Sequence, residues 1–130
     1  MDYLATSGWS MAPSLKPGDK IILRPCRAQD LRLGDLAVYR ASGALVCHRL
    51  VFKQGSRLFT RGDSSWGWPE EVPASCIEGV AAAVVTSHGV SRPMQGPISR
   101  ALNFSAIFWT PLTALAYRAA EAIKRRAGLP

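Results

Sequence analysis

The sequence predicts a mainly β protein, a small β-barrel or sandwich-like body followed by a C-terminal amphipathic helical tail. Between residues 19 and 86, short runs rich in Val, Ile, Leu, Phe and Tyr alternate with glycine-containing turns, which is the pattern of short strands. After residue 96 this pattern stops, and apolar residues recur at helical spacing. We therefore expect a β domain over 1–96 and a helical tail over 97–130, packed on that domain or on a membrane surface.

The strands of the β domain are each bounded by turn residues. They are expected at 20–24, 36–40, 44–53, 57–61 and 77–85. Gly-Asp pairs stand at 18–19, 34–35 and 62–63. Glycine tolerates positive φ and aspartate can accept a hydrogen bond from nearby backbone, so the first two pairs are interpreted as turns.

The tail carries start and stop signals for a helix over about 111–127. Thr110 can cap this helix, Pro111 suits its first position, and Gly128 suits the residue after its end. A shorter helix over roughly 98–109 is predicted before it. Residues 97–130 hold five basic residues and one acidic residue. A helix packed on the β body and a helix lying on a membrane surface fit this pattern equally well.

The composition argues against several classes of function. The chain has 130 residues, enough for one compact domain, and a formal net charge of +7. No arginine-rich run with interleaved aromatic residues accompanies this charge, so specific nucleic-acid binding is not predicted. Three cysteines without CxxC spacing argue against a disulfide framework and against a zinc site.

The same composition bears on location. Residues 1–10 lack a basic segment followed by an apolar stretch, so neither a signal peptide nor an N-terminal anchor is predicted. Three unpaired cysteines fit a reducing compartment. We therefore expect a cytoplasmic or peripherally membrane-associated protein.

The most specific motif is the segment at 8–19, GWSMAPSLKPGD. A serine before methionine, a proline two residues further on, and a Gly-Asp pair before a strand resemble the signal peptidase I superfamily of serine peptidases, which includes self-cleaving repressor-type peptidases. This resemblance covers roughly 7–85 and implies that Ser10 is the nucleophile. It also implies that the backbone N–H of Ser10 stabilises the oxyanion and that Met11 and Pro13 contact the substrate.

A serine hydroxyl needs a base to become an effective nucleophile. The chain has two histidines: His48 lies inside the predicted strand 44–53, and His88 is interpreted as a turn residue. The position of His48, before an arginine and an apolar residue, resembles the archaeal, sporulation-type and endoplasmic-reticulum signal peptidases, which use a Ser-His pair. The resemblance therefore implies that His48 is the general base and then the general acid. Lys53 is expected on the opposite face of the strand.

The acid that would orient His48 is open between two residues. Asp63 lies in the segment Arg-Gly-Asp-Ser, which resembles the Gly-Asp-Asn segment of the family. In the Ser-His members the orienting acid is a further Asp about six residues later, where this chain has Pro69 followed by Glu70. Asp63 ranks first and Glu70 second, and a Ser-His dyad is the third alternative.

The resemblance implies a serine endopeptidase that cleaves a peptide or pro-protein, such as a leader or signal-like segment, through an acyl-enzyme intermediate. The substrate is expected to bind extended along a strand edge, with small residues beside the cleaved bond. No metal and no organic cofactor are expected. The alternative is a catalytically weak or inactive peptide-binding module of the same fold, with the basic helix as the surface that meets a membrane or a protein partner.

Overall fold

The computed structural model describes residues 2–5, 11, 14–65 and 67–128. Within these residues, eight β-strands form one antiparallel sheet and a single long helix follows them. The elements are β1 Asp2–Ala5, β2 Lys20–Pro25, β3 Leu36–Ala41, β4 Ala44–Gln54, β5 Arg57–Arg61, β6 Glu70–Val72, β7 Ile77–Val85, β8 Ser91–Pro93 and α1 Pro97–Arg126. The prediction of a mainly β body with a C-terminal helix is confirmed.

The strand order of the sheet is β1-β2-β7-β3-β4-β5-β6, with β8 pairing beside β7. A closed barrel needs a ladder between the first and last strands, and within the described residues β1 and β6 are the two ends of the path and do not pair. The predicted barrel is therefore wrong in that the sheet is not closed. These end strands are four and three residues long, and short end strands limit edge-to-edge pairing with other chains.

The register between β3 and β4 is set by a two-residue turn. Ser42 and Gly43 both have positive φ, at 52° and 78°, which is the signature of a type I′ hairpin turn. Ala41 pairs with Ala44 on either side of this turn. The same register brings Ala37 opposite His48 and Leu36 opposite Arg49.

The buried apolar residues form two clusters, one on each face of β3. The first cluster is Met11, Leu15, Ile21, Leu36, Ala81, Val84 and Met94. The second cluster is Leu31, Ala37, Tyr39, Leu50, Leu58, Val72 and Val80. Successive side chains of a strand point to opposite faces. Accordingly, Cys47 of β4 packs against the first cluster and Leu50 belongs to the second. His48 therefore lies on the face of the second cluster, and Arg49 on the face of the first.

The helical tail differs from the prediction of two helices that divide at Pro111. In α1 the helix continues through Pro111, and Thr110 is no cap because its Oγ1 donates to the carbonyl of Ala106 at 2.6 Å. A proline inside a helix leaves the carbonyl four residues earlier without its N–H donor. Here Arg61 Nη2 supplies a donor to that carbonyl, on Ile107, at 2.8 Å. A contact from β5 thus replaces the hydrogen bond that the proline removes.

α1 packs closely against the turn before β3. Gly34 has a φ of 94°, and a Cβ at this position would lie 2.6 Å from the backbone nitrogen of Phe104. The predicted turn is confirmed, since Asp35 Oδ2 accepts a hydrogen bond from the N–H of Arg32 at 2.9 Å. Glycine is therefore required at this position both by the backbone conformation and by the approach of the helix.

Candidate active site

The structure describes Met11 and residues 14–19 of the 8–19 motif. Ser10 and Pro13 lie outside the described residues. Met11 is described, and its side chain is only 4% exposed within the first cluster. Its Sδ accepts a hydrogen bond from the backbone N–H of Asp63 at 3.3 Å. The Met11 side chain is thus part of the core and joins this motif to the Gly-Asp turn at 62–63. The contact of Met11 with the substrate stays a prediction.

Asp63 forms a buried ion pair with Arg49. Arg49 Nε donates to Oδ1 at 2.8 Å and Nη2 donates to Oδ2 at 2.7 Å, and both side chains are almost fully buried. The hydroxyl of Ser14 also donates to Oδ2. This bidentate geometry is the arrangement in which a guanidinium binds a carboxylate most strongly. Both carboxylate oxygens of Asp63 are thus engaged by Arg49, on the face of the sheet opposite the face of His48.

His48 contacts a tyrosine on its own face of the sheet. The Nδ1 atom of His48 lies 3.1 Å from Tyr39 Oη, and Tyr39 Oη lies 3.0 Å from Thr60 Oγ1. Tyr39 and Thr60 are buried, and His48 is half-buried. Sequence reasoning did not find Tyr39 or Thr60. The Ser42-Gly43 turn could have indicated Tyr39, because the register that this turn sets between β3 and β4 places Tyr39 diagonally across from His48.

The protons of this chain of hydrogen bonds can be arranged in two ways. Burial raises the pKa of the Tyr39 phenol above its ordinary value, so the hydroxyl keeps its single proton. If Nδ1–H donates to Tyr39 Oη, the tyrosine donates onward to Thr60 and the lone pair of the neutral ring lies on Nε2. If instead Thr60 donates to Tyr39 and Tyr39 donates to Nδ1, the proton of the neutral ring lies on Nε2. The first arrangement is the one that a general base requires.

The charge state of His48 follows from its surroundings. Burial holds the pKa of His48 below its ordinary value, because the charged imidazolium loses hydration. The negative charge of Glu70 opposes this shift most strongly, followed by that of Asp63. The ring is therefore neutral at neutral pH and able to accept a proton.

Glu70 lies on the same side of the sheet as His48. In the register of β5 and β6 it is directly opposite Thr60, and directly paired residues share a face. Its charge also raises the pKa of Tyr39. The two carboxylates considered for the orienting role are thus separated by the sheet: Glu70 is on the face of His48, whereas Asp63 is on the face of Arg49 and acts on His48 through its charge.

Cys47 stands beside His48 in the chain but does not pair with it chemically. It packs against the first cluster, on the opposite face. Burial raises the pKa of this thiol to about 12, so the thiolate needed for nucleophilic attack does not form at neutral pH. Among the described residues, no group of three His, Cys, Asp or Glu side chains is placed to hold a metal ion.

A cavity of about 570 Å³ lies between α1 and the Arg49 face of the sheet. Arg49, Ser14 and Asn103 are among its lining residues, and His48 is not. This cavity thus lies on the other side of the sheet from the imidazole.

No family model matches the chain, and neither the curated proteins nor the solved structures gave a match. The function is therefore argued from the residues and their geometry. Two predicted site residues, His48 and Glu70, share a face, and the structure adds Tyr39 and Thr60 to them.

Proposed function

We propose that this protein is a serine endopeptidase that cleaves a peptide or pro-protein through an acyl-enzyme intermediate, with Ser10 as nucleophile and His48 as general base. The observation that carries this proposal is the engagement of His48 Nδ1 by Tyr39 Oη at 3.1 Å. A half-buried imidazole with one nitrogen fixed and a lowered pKa is suited to exchange protons through its other nitrogen. The resemblance of the 8–19 motif to the signal peptidase I superfamily supplies the serine.

In the proposed reaction the Ser10 hydroxyl attacks the scissile carbonyl and its proton passes to His48 Nε2. The negative charge on the carbonyl oxygen is stabilised by the backbone N–H of Ser10. His48 then returns the proton to the leaving amine, which departs and leaves an ester on Ser10. Water attacks this ester with His48 again as base, and the serine is regenerated.

Tyr39 and Glu70 have separate parts in this proposal. Tyr39 is a positioning residue, since its neutral hydroxyl fixes the ring through Nδ1. The proposal requires the tautomer in which Nδ1–H donates to Tyr39 and the lone pair lies on Nε2. Glu70 stabilises the imidazolium that forms during the reaction, because its charge raises the pKa of His48. Asp63 is the counter-ion of Arg49, so the proposal prefers Glu70 over Asp63 as the carboxylate that serves His48.

The sheet also suits an extended substrate. β6 is the last strand of the path and, among the described residues, its outer edge has no strand partner. It lies next to β5, which carries Thr60 of the hydrogen-bonded chain. A peptide that adds to this edge would run beside the face on which His48 lies.

The proposal is tested by incubating the protein with a peptide library and candidate pro-proteins and identifying the products by mass spectrometry. We expect cleavage by the wild type and its loss in Ser10→Ala and in His48→Ala. The matched control is His88→Ala, since His88 is an exposed turn residue and its removal should leave cleavage unchanged.

Two outcomes contradict the proposal. Cleavage that persists in Ser10→Ala excludes Ser10 as the nucleophile. A wild type that binds peptides, measured by calorimetry, but releases no product is instead the peptide-binding module of the alternative hypothesis.

A further inference from the structure

Helix α1 turns its largest apolar side chains away from the protein. They recur every three or four residues, which places them along one side of the helix. This stripe consists of Phe104, Phe108, Leu112, Leu115 and Ile123, each between 46% and 68% exposed, with Ala119 continuing it. Its ends are 19 residues apart, so it extends for roughly 28 Å along the helix.

The opposite side of α1 makes the contact with the sheet, through small or polar residues. The buried residues of the helix are Asn103, Ala106, Thr110 and Ala114. A helix of a globular protein ordinarily turns its apolar stripe toward the core. In α1 this order is reversed, so packing against the β body does not account for the outer stripe.

The second half of the helix keeps the same outer stripe although it lies beyond the sheet. After Ala114 none of the described helix residues is buried. Tyr117, Glu121 and Lys124 continue the side that contacts the sheet in the first half, and they are polar. The helix is thus amphipathic along its whole length, with its apolar side facing away from the domain.

The charge of the helix is strongly positive. Five basic residues stand against Glu121, namely Arg100, Arg118, Lys124, Arg125 and Arg126. Lys124, Arg125 and Arg126 form its last turn. An amphipathic aromatic residue, Trp109, is exposed beside the stripe. An apolar stripe on a helix whose other residues include several lysines and arginines is the composition of helices that lie in a lipid–water interface.

We propose that α1 docks parallel to the surface of an anionic lipid bilayer, with the outer stripe inserted among the acyl chains and the basic residues against the phosphates. Among the described residues, no helix combines the length and the apolar character needed to cross a bilayer. This inference goes beyond the proposed function and does not depend on it.

Charge favours a lipid surface over a second copy of the chain. Pairing two copies along the stripe would bring two strongly basic helices together, and like charges repel. An anionic bilayer instead attracts each lysine or arginine near its surface by about 1 kcal/mol, which is about fivefold in affinity. The bilayer therefore covers the stripe and neutralises the charge at the same time.

The test is co-sedimentation of the full chain with vesicles of mixed phosphatidylglycerol and phosphatidylcholine, and with vesicles of phosphatidylcholine alone. We expect binding to the anionic vesicles, weaker binding to the neutral ones, and release as salt concentration rises. Phe108→Ser with Leu112→Ser should lower the affinity by about tenfold or more, since each side chain loses its burial in lipid. Lys124→Gln with Arg125→Gln and Arg126→Gln should remove the preference for anionic lipid.

The matched control is Phe52→Ser, which removes an aromatic side chain of similar exposure, 51%, from β4. It should bind like the wild type, and circular dichroism verifies that every variant is folded. The proposal is overturned if the wild type does not sediment with anionic vesicles, or if the stripe variant sediments as well as the wild type. A dimer in light scattering that the stripe variant abolishes, without vesicle binding, identifies a second copy as the occupant instead.

Discussion

His48 has two kinds of neighbour, a hydroxyl group in contact and carboxylates at a distance. The hydroxyl of Tyr39 acts on the position of the ring, because it lies within hydrogen-bond distance of Nδ1. The carboxylate of Glu70 acts on the charge of the ring, because it raises the pKa that burial lowers. In a serine peptidase triad one aspartate performs both tasks. In this chain the two tasks fall on separate residues.

The separation of Asp63 from His48 has a local cause. His48 and Arg49 are neighbours in β4, so their side chains point to opposite faces of the sheet. Asp63 binds Arg49 through both carboxylate oxygens. Arg49, the neighbour of His48 in the chain, thus holds Asp63 on the opposite face of the sheet, where it does not contact the imidazole.

The pH dependence of cleavage is predicted from these groups. The base form of His48 predominates above its lowered pKa, so kcat/KM should rise with pH to a plateau whose midpoint lies below 6.5, the ordinary value. Glu70→Gln removes a charge that raises this pKa, so the rise should move to lower pH. The plateau should also fall, since the imidazolium of the transition state loses a favourable charge.

The control for this prediction is Glu71→Gln. Glu71 adjoins Glu70 in β6, but it pairs with Arg57 at 2.7 Å and lies opposite Phe59 rather than Thr60. Glu71→Gln should leave the midpoint of the rise of kcat/KM with pH unchanged. Identical pH profiles for the two variants would show that Glu70 has no particular connection to His48.

At the scale of the elements, two short turns decide where the functional side chains lie. The Ser42-Gly43 turn sets the register that brings β3 against β4, and hence Tyr39 near His48. The turn at Gly34 affects where α1 meets the sheet, since the helix backbone leaves no room for a Cβ at that residue. Neither turn contains a candidate site residue, yet the first places Tyr39 beside His48 and the second places α1 against the sheet.

Gly34→Ala should be strongly destabilising. Alanine must adopt a φ of 94° there, and its Cβ would meet the backbone of Asn103 and Phe104 at under 3.0 Å. The positive φ costs about 1–2 kcal/mol, and displacing the helix adds about 1–3 kcal/mol. Urea unfolding measures the free energy of unfolding of this variant against the wild type.

Gly89→Ala is the matched control, because Gly89 has a φ of 82° and no heavy atom within 4 Å of the Cβ position. Its free energy of unfolding should fall only by the cost of the positive φ. Equal losses for the two variants would mean that the approach of α1 to Gly34 contributes nothing to stability.

At the scale of the whole molecule, the Arg49–Asp63 pair joins parts that are far apart in the chain. Arg49 Nη1 donates to the carbonyl of Gly34 at 2.8 Å and lies 3.4 Å from that of Asn103 in α1. Ser14 reaches Asp63 from the N-terminal motif. One buried guanidinium thus connects the N-terminal motif, the sheet and the helix.

Asp63→Asn should lower the free energy of unfolding by about 3–5 kcal/mol, because it leaves a buried guanidinium without its counter-charge. The control is Glu78→Gln, which breaks the exposed Arg40–Glu78 pair at 2.8 Å and should cost under about 1 kcal/mol. Urea unfolding of both variants makes the comparison. A loss for Asp63→Asn no larger than that of the control would contradict the connecting role of the pair.

Local patterning was enough to predict five strands, which are β2, β3, β4, β5 and β7. Each of them contains a run of apolar residues long enough to be recognised in the sequence. β1, β6 and β8 have three or four residues each and owe their existence to the strands they pair with. The helix was predicted, but its continuity through Pro111 depends on Arg61, a residue 50 positions away. This hydrogen-bond donor comes from β5, so the residues around Pro111 do not indicate it.

The sequence by itself determined the β body, the helical tail, the two Gly-Asp turns and the choice of His48 as the one histidine inside a strand. These depend on spacing, turn chemistry and burial, which act over a few residues. Only the tertiary structure decided which carboxylate shares a face with His48, that Tyr39 holds its Nδ1, that Met11 is a core residue, and that the apolar side of the helix faces outward. Those outcomes depend on strand register and on which surface packs, and both are settled by contacts between residues distant in the chain.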